Sequence, residues 1–473
     1  MQTSFIFLTF GVLLGILVLL SISTSYLPMI VVPLGVLAIP VVINSYSKVR
    51  QLYQELRWWH YLWSIMFLSG LVFRIRDTST ITDSPLDPWA LFRIFLMILI
   101  GTVLFYQLVI NRIDWIRSLV HGLLALLTGY AASCLTSVIW SVFPSWSLYK
   151  SIEYLVDIFL LAAIVEMTRE ANKAKTLFDW TWLLLGLFLT TVWFWVIVWP
   201  EEAILGNIGL LGTQIHGVWP AMESNGVGEL AAILGIVAFS RLLFSHSKNR
   251  LFYISAFLFA FITLLFAQSR SPLTAFLLGI PIVLFVSRRI GGLALAFAGA
   301  IVLLSFTSAS EPMWEYFQRG QKDREFDSLS GRTGLWNASW EFIKQQPLTG
   351  YGAYAGSRFT GINDAMGTGI SSILNTWLEV LLGVGMPGFL LLLMVFFGVW
   401  IILCRNTWQS PPDSTVHQLG IEAVGVLTII SIRSMFSPQL IWHPPTTFFL
   451  VLGYAELVRR LVKSRVYETS ISP

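Results

Sequence analysis

The chain has 473 residues, of which 56% are hydrophobic and 12% charged, and its formal net charge is +4. Soluble domains carry about 25% charged residues, so this composition excludes a water-soluble globule, and with it the disordered, collagenous and small disulfide-rich classes. What remains is a polytopic membrane protein, and a charge so small and scattered gives no footing for a nucleic-acid partner.

A spanning helix needs about 20 mostly apolar residues. Stretches of that kind lie near 4–22, 26–44, 58–73, 89–110, 119–142, 150–167, 180–199, 226–244, 251–268, 271–287, 290–308, 380–404, 417–434 and 446–458. The expected fold is all-α and polytopic, with about 12–14 transmembrane helices. Residues 1–308 are expected to hold about 11 of these spans. A long loop with short helices follows at 309–373, and 374–473 supplies a re-entrant segment and the last helices of one integrated membrane domain. The leading MQTSF has no basic n-region, so the first span is expected to be a retained helix rather than a cleaved signal. The 20 Trp and 34 Phe suit the two membrane interfaces. Cys134 and Cys404 are far apart in sequence and define no disulfide framework or metal site.

Basic residues gather in alternate loops: Lys48, Arg50 and Arg57; Arg169, Lys173 and Lys175; Arg241, Lys248 and Arg250; Arg459, Arg460, Lys463 and Arg465. The positive-inside rule then places both termini in the cytoplasm and 309–373 on the outer face.

Three stretches expected on that outer face carry polar chemistry. The first holds His216 and Glu223, with Asn225-Gly226 opening the next span. The second is the tight turn Gln268-Ser269-Arg270-Ser271-Pro272. Arg270 breaks the positive-inside trend, and its planar fork of donors suits phosphate; a lone arginine there also snorkels to lipid headgroups. The third runs from Ser330 to Gly352. A rough apolar stripe at Leu335, Trp336, Trp340 and Ile343 predicts a helix over 334–346, with Thr333 or Ser330 as N-cap and Pro347 as stop. Arg332 then lies at a helix start, where backbone N–H groups favour an anion; a capped surface helix with tryptophans on the interface fits the same residues.

Asn375 and Glu379 follow, four residues apart and so on one helix face. Gly383, Gly385 and Pro387 predict a helix break there. Such breaks are tolerated at membrane depth only where protein or water covers them. Glu379 needs either a basic partner or water. Arg93, Glu153, Asp157, Glu229 and Glu422 lie inside spans and are either site residues or structural ion pairs. His443 is either a base or a headgroup contact. The sequence has no P-loop, Rossmann fingerprint or zinc motif, and so no metal or other cofactor is expected.

Taken together these pieces resemble the O-antigen ligase and O-antigen polymerase superfamily of bacterial envelope enzymes. SGRTGLWNASWEFIKQQPLTGYG, residues 330–352, is similar to its GRT-x-x-W…P-x-x-G-x-G block. Ser269-Arg270-Ser271 before an apolar span is similar to its SRG-type turn, and Asn375–Gly388 to the segment after its loop. Trp140–Pro144 with Leu148–Ser151 looks like its mid-chain segment. The resemblance spans roughly 138–400.

It implies a helical bundle like the integral-membrane (GT-C type) glycosyltransferases, in the bacterial inner (plasma) membrane. The donor would be an undecaprenyl-diphosphate-linked oligosaccharide and the acceptor a glycan or lipid. Membrane lipids and polysaccharide-assembly proteins would be further partners. Activity would be metal-independent. Arg270 and Arg332 match the two family arginines that steady the leaving diphosphate, and Ser269, Thr333, Trp336 and Asn375 complete the expected substrate-binding set. One departure stands out. Leu374 occupies the place before Asn375 where many ligases carry a His, and leucine accepts no proton. Glu379, His216 and Glu223 are the candidate replacement bases. The loss favours an O-antigen or exopolysaccharide polymerase over a ligase attaching glycan to lipid A-core. A transporter, such as a lipid-linked glycan flippase or small-anion carrier, and a non-catalytic envelope scaffold are the competing readings.

Overall fold

The computed structural model describes residues 49–71, 87–206, 211–245, 247–294, 316, 331–362 and 372–471. In chain order the long helices are α1 (Trp58–Leu71), α2 (Pro88–Val109), α3 (Gly122–Thr136), α4 (Pro144–Met167), α5 (Ala171–Val198), α6 (Ser224–Phe244), α7 (Ser247–Phe266), α8 (Arg270–Val286), α9 (Arg332–Gln345), α10 (Thr376–Gln409), α11 (Thr415–Ser434) and α12 (Thr446–Ile471). The chain is an all-α, multi-pass membrane protein. Among the described residues seven helices are long and apolar enough to cross a membrane: α2, α5, α6, α10, α11 and the stretches Gly122–Trp140 and Asn249–Phe266. Every span expected between 58 and 287, and from 380 onward, corresponds to a helix. The spans expected at 4–22 and 26–44, and most of 290–308, lie outside the described residues.

The sidedness of α2 shows what solvent these helices expect. Its buried face carries Ala90, Met97, Ile100 and Leu104, and also the polar Arg93 and Gln107. Its exposed face carries Leu91, Phe92, Phe95, Ile98 and Phe105. In water that arrangement would be inverted; in lipid the apolar face outward costs nothing, and the arginine inward finds its partner.

The chain forms two compact units. The first comprises Trp182–Asp327 and Pro411–Ile429 among its parts. Here α6 packs on both α7 and α8. Close approach is set by small residues: a Cβ on Gly235 would sit 2.9 Å from the Phe276 ring. A two-stranded antiparallel hairpin, β1 (Ile204–Gly206) and β2 (Thr213–Ile215), pairs Ile204 with Ile215 and Gly206 with Thr213. The intramembrane Glu422 is saturated by Arg241, at 2.7 and 3.0 Å, and by the Trp182 indole. It is a structural ion pair.

The second unit comprises Glu55–Thr181, Ser328–Ser410 and Ile430–Pro473. In it α3 packs between α4 and α10, α12 packs on α4 and α10, and α9 lies on α10. Its buried charges are also paired. Glu153 accepts from Arg93 at 2.6 Å, Lys150 at 2.7 Å and the Tyr149 hydroxyl at 3.1 Å. His443 is buried rather than at the headgroups, contrary to one of its two sequence expectations. Its ring is buried, with Nδ1 2.6 Å from Asp157 and Nε2 2.7 Å from Ser69 Oγ.

Candidate functional site

The expected site residues fall into two groups, one in each unit. In the first unit the N-termini of α6 and α8 and the C-terminus of α7 share one end. Gly228, in the first turn of α6, lets the Ser269 side chain approach to 3.0 Å of where a Cβ would be. The Ser269 hydroxyl donates to Asn225 Oδ1 at 2.6 Å, and so does not cap α8. Arg270 is the first residue of α8 and is half-buried.

Two glutamines staple the hairpin to this helix start. Gln214 Nε2 donates to the Ala267 carbonyl at 2.9 Å, and Gln268 Nε2 donates to the Thr213 carbonyl at 2.6 Å. The bonds are reciprocal and both glutamines are buried. Gln268 takes φ +44°, a conformation disfavoured for a residue with a Cβ. The staple therefore fixes two chain directions together: Arg270 follows Gln268 by two residues, and His216 follows Gln214 by two.

His216 is tethered through its backbone N–H to the Ala203 carbonyl at 3.1 Å, and its Nδ1 is buried without a hydrogen-bond partner. Burial holds the imidazole below its ordinary pKa, against an opposing pull from Glu202. It is a neutral proton acceptor at neutral pH. Glu223 precedes α6 at the N-cap position, is exposed, and makes no side-chain cap.

In the second unit α9 begins at Arg332, two residues before the expected start. The N-cap is neither Thr333 nor Ser330 but Gly331, at φ +82°. Glycine takes this left-handed conformation without a Cβ penalty. The Arg332 guanidinium lies 5.7 Å from the Phe436 ring centroid, within cation–π range. Trp336, one turn on, donates to the Ile373 carbonyl at 3.0 Å. Thr333 sits between them in the first turn of α9.

Asn375 is outside the helix rather than on a face shared with Glu379. It is the N-cap of α10, accepting from the Trp377 and Leu378 N–H groups at 2.9 and 3.1 Å and donating to the Met435 carbonyl at 3.1 Å. Both ends of its amide are thus engaged in holding the chain. Glu379 is 3% exposed. It accepts from two neutral donors, the Ser357 hydroxyl and the Ile373 N–H at 3.1 Å, and the charge of Arg358 acts on it as well. Leu374 takes φ +55°.

A strap, residues 347–359, lies over a break in α10. Gly385 has φ +65° and ψ −168°, which only glycine adopts readily. The carbonyls freed there accept from the strap: Tyr351 N–H to Leu382 at 2.8 Å and Gly352 N–H to Gly383 at 2.9 Å. Met386 N–H donates back to the Pro347 carbonyl at 2.9 Å. Sequence reasoning found the helix break and the Pro-x-x-Gly-x-Gly turn, but not that one repairs the other. It also missed the glutamine staple and Ser357. The only sequence signal for the staple is the pair of amides at the ends of apolar runs.

No group of three or more His, Cys, Asp or Glu side chains able to hold a metal ion occurs among the described residues.

A family model described as O-Antigen ligase matches residues 254–393. These residues are similar to that family and lie within the stretch over which the sequence resembles the superfamily. The segment includes Ser269, Arg270, Arg332, Thr333, Trp336, Asn375 and Glu379, and excludes His216 and Glu223. An O-antigen ligase segment supports a glycosyl-transferring role in polysaccharide ligation or polymerisation, with lipid-linked glycan and acceptor substrates. It spans less than a third of the chain. No curated protein matches the chain.

Proposed function

We propose that the protein transfers a glycan from undecaprenyl diphosphate to an acceptor sugar on the outer face of the plasma membrane, as an O-antigen or exopolysaccharide polymerase. The observation that carries this is Arg270, inside the matched segment, as the first residue of α8, held there by the staple between Gln268 and Gln214. In the reaction an acceptor hydroxyl oxygen attacks the anomeric carbon, the bond from that carbon to the diphosphate oxygen breaks, and undecaprenyl diphosphate leaves with the electron pair. Negative charge grows on the leaving group. A preorganised guanidinium beside a helix N-terminus stabilises that charge without reorganising. Within the second unit, Arg332 at the start of α9 repeats the arrangement of a guanidinium at a helix N-terminus.

The hydroxyl proton needs an acceptor. Glu379 is occupied by Ser357 and Ile373, and Leu374 offers nothing. His216 is neutral and tied to the same staple as Arg270, and we assign it as the base, with the exposed Glu223 the alternative. The absence of an acid–base side chain at Leu374 is what favours a polymerase over a ligase.

Proteoliposomes with an undecaprenyl-diphosphate oligosaccharide and EDTA test this. Lengthened glycan is expected from the native protein. Arg270→Ala and Arg332→Ala should each lower the rate by about 10²–10³-fold, the loss typical of one transition-state charge partner. Undiminished turnover in both variants overturns the site assignment. Accumulation of the lipid-linked substrate on the inner leaflet of cells lacking the protein would instead indicate a flippase.

A further inference from the structure

Just past the end of α11 the chain is gripped on both sides of one aromatic ring. The Asn375 amide donates to the Met435 carbonyl at 3.1 Å, and the Thr376 hydroxyl donates to the Ser437 carbonyl at 2.7 Å. Between those two carbonyls stands Phe436, whose own N–H donates to the Arg433 carbonyl at 2.8 Å. Two consecutive side chains at the start of α10 thus fix the chain before and after the ring.

The ring meets the first turn of α9. Arg332 and Trp336 are four residues apart and share one face of that helix. The Arg332 guanidinium carbon lies over Phe436 at 5.7 Å from the ring centroid, and the Trp336 ring packs against Phe436 at 6.2 Å and 39°. Trp336 is fixed in turn by its bond to the Ile373 carbonyl at 3.0 Å. One short stretch, residues 373–376, therefore holds both the ring beneath Arg332 and the ring one turn on from it. All of these residues belong to the second unit, and Arg332 and Phe436 both stay partly exposed.

A ring supports a cation differently from a carboxylate. A carboxylate neutralises a guanidinium and takes up its N–H donors. A ring face attracts it, leaves its charge in place and consumes none of its five donors. The contact with Phe436 is thus compatible with an anion that binds Arg332 through its donor edge.

We infer that Phe436 is a positioning residue for Arg332, orienting its guanidinium toward the diphosphate of the lipid-linked donor. Asn375 and Thr376 act one step further back, by setting the chain that carries the ring. The inference rests on the glycan-transfer reading for the source of that diphosphate. Phe436 lies outside residues 254–393, so the family match gives it no role.

The test is calorimetric titration of the full chain in detergent with inorganic pyrophosphate. The native protein should bind it, and Arg332→Ala should weaken it. Phe436→Leu keeps an apolar side chain but no ring, and should weaken it by about 3–30-fold at unchanged melting temperature, the worth of a cation–π contact. Phe436→Tyr restores a ring face and should bind within about twofold of native. Phe436→Met carries the comparison if Phe436→Leu does not fold. In proteoliposomes kcat should fall in Phe436→Leu by a similar factor, and the double variant Arg332→Ala/Phe436→Leu should be no slower than Arg332→Ala. A merely structural Phe436 would slow both backgrounds alike, and that result overturns the inference. So does native-like binding in Phe436→Leu or in Arg332→Ala, a Phe436→Tyr protein as weak as Phe436→Leu, or no pyrophosphate binding by the native chain. Ring-dependent pyrophosphate binding without glycan transfer refutes the transfer reading alone, and transfer without ring-dependent binding refutes this inference alone.

Discussion

Replacing Glu379 by alanine and by glutamine separates an anchor from a base. The carboxylate is buried and accepts two hydrogen bonds, from the Ser357 hydroxyl and the Ile373 N–H. Alanine removes the acceptor that both donors share. Hydrogen bonds to a charged acceptor are worth about 1.5–3 kcal/mol each, so the loss is roughly 3–6 kcal/mol before any cavity is counted. That is a large part of the roughly 5–15 kcal/mol that ordinary domains possess. Glutamine keeps a carbonyl oxygen for the Ile373 N–H, and its amide can donate to a rotated Ser357 hydroxyl, so its cost stays near that of one neutral hydrogen bond, about 1 kcal/mol. Thermal unfolding in detergent should therefore rank native and Glu379→Gln together, well above Glu379→Ala. Glycan transfer in proteoliposomes should survive in Glu379→Gln. A general base contributes about 10²–10⁴-fold; a Glu379→Gln protein with native melting and a rate loss of that size refutes the anchoring argument and returns Glu379 to the chemistry.

Gln268→Ala leaves the Thr213 carbonyl unpaired and frees the start of α8, so turnover should fall by about 10–10²-fold, the scale of a small displacement of a catalytic group; steady-state kinetics at unchanged protein level check it. His216 is held below its ordinary pKa, so it stays neutral in the folded protein where the unfolded chain would protonate it. Stability should be flat in this respect above pH about 6.5, fall as the pH drops below it, and level off once the folded imidazole protonates. Melting curves from pH 5 to 8 should show a shallower acid loss in His216→Gln, while native transfer holds through that window and declines only at lower pH, where the folded imidazole protonates. Gly385→Ala forces a Cβ against the Leu348 carbonyl at positive φ. It should destabilise by about 1–3 kcal/mol or more, read as a lower melting temperature.

The membrane helices were legible because their signal is long. About 20 apolar residues leave few alternatives, and the helices over 88–109, 224–244 and 415–434 follow their apolar runs to within a few residues. Short-range detail was less legible. The helix after Gly331 begins at Arg332 because a glycine in the left-handed region replaces the expected side-chain cap, and nothing in the local composition distinguishes the two. Arg270 stood out because it broke the charge pattern. Gln214 and Gln268 did not, because a neutral amide breaks no pattern and its partner is a backbone carbonyl more than 50 residues away. Glu379 was legible as costly but not as paired, since its donors are a serine in the strap and a peptide N–H, which any sequence could supply.

The repaired break in α10 also bears on the order of assembly. Residues 347–352 leave the ribosome before residues 376–409, yet the later helix is completed by the earlier segment, which supplies partners for the Leu382 and Gly383 carbonyls and for the Met386 N–H. In hydrocarbon those groups would each cost several kcal/mol if left bare. The helix therefore cannot reach its final bent form on insertion alone. It must wait for the strap to dock, so the biogenesis of this region is a capture step, in which a segment already made receives the helix that comes after it.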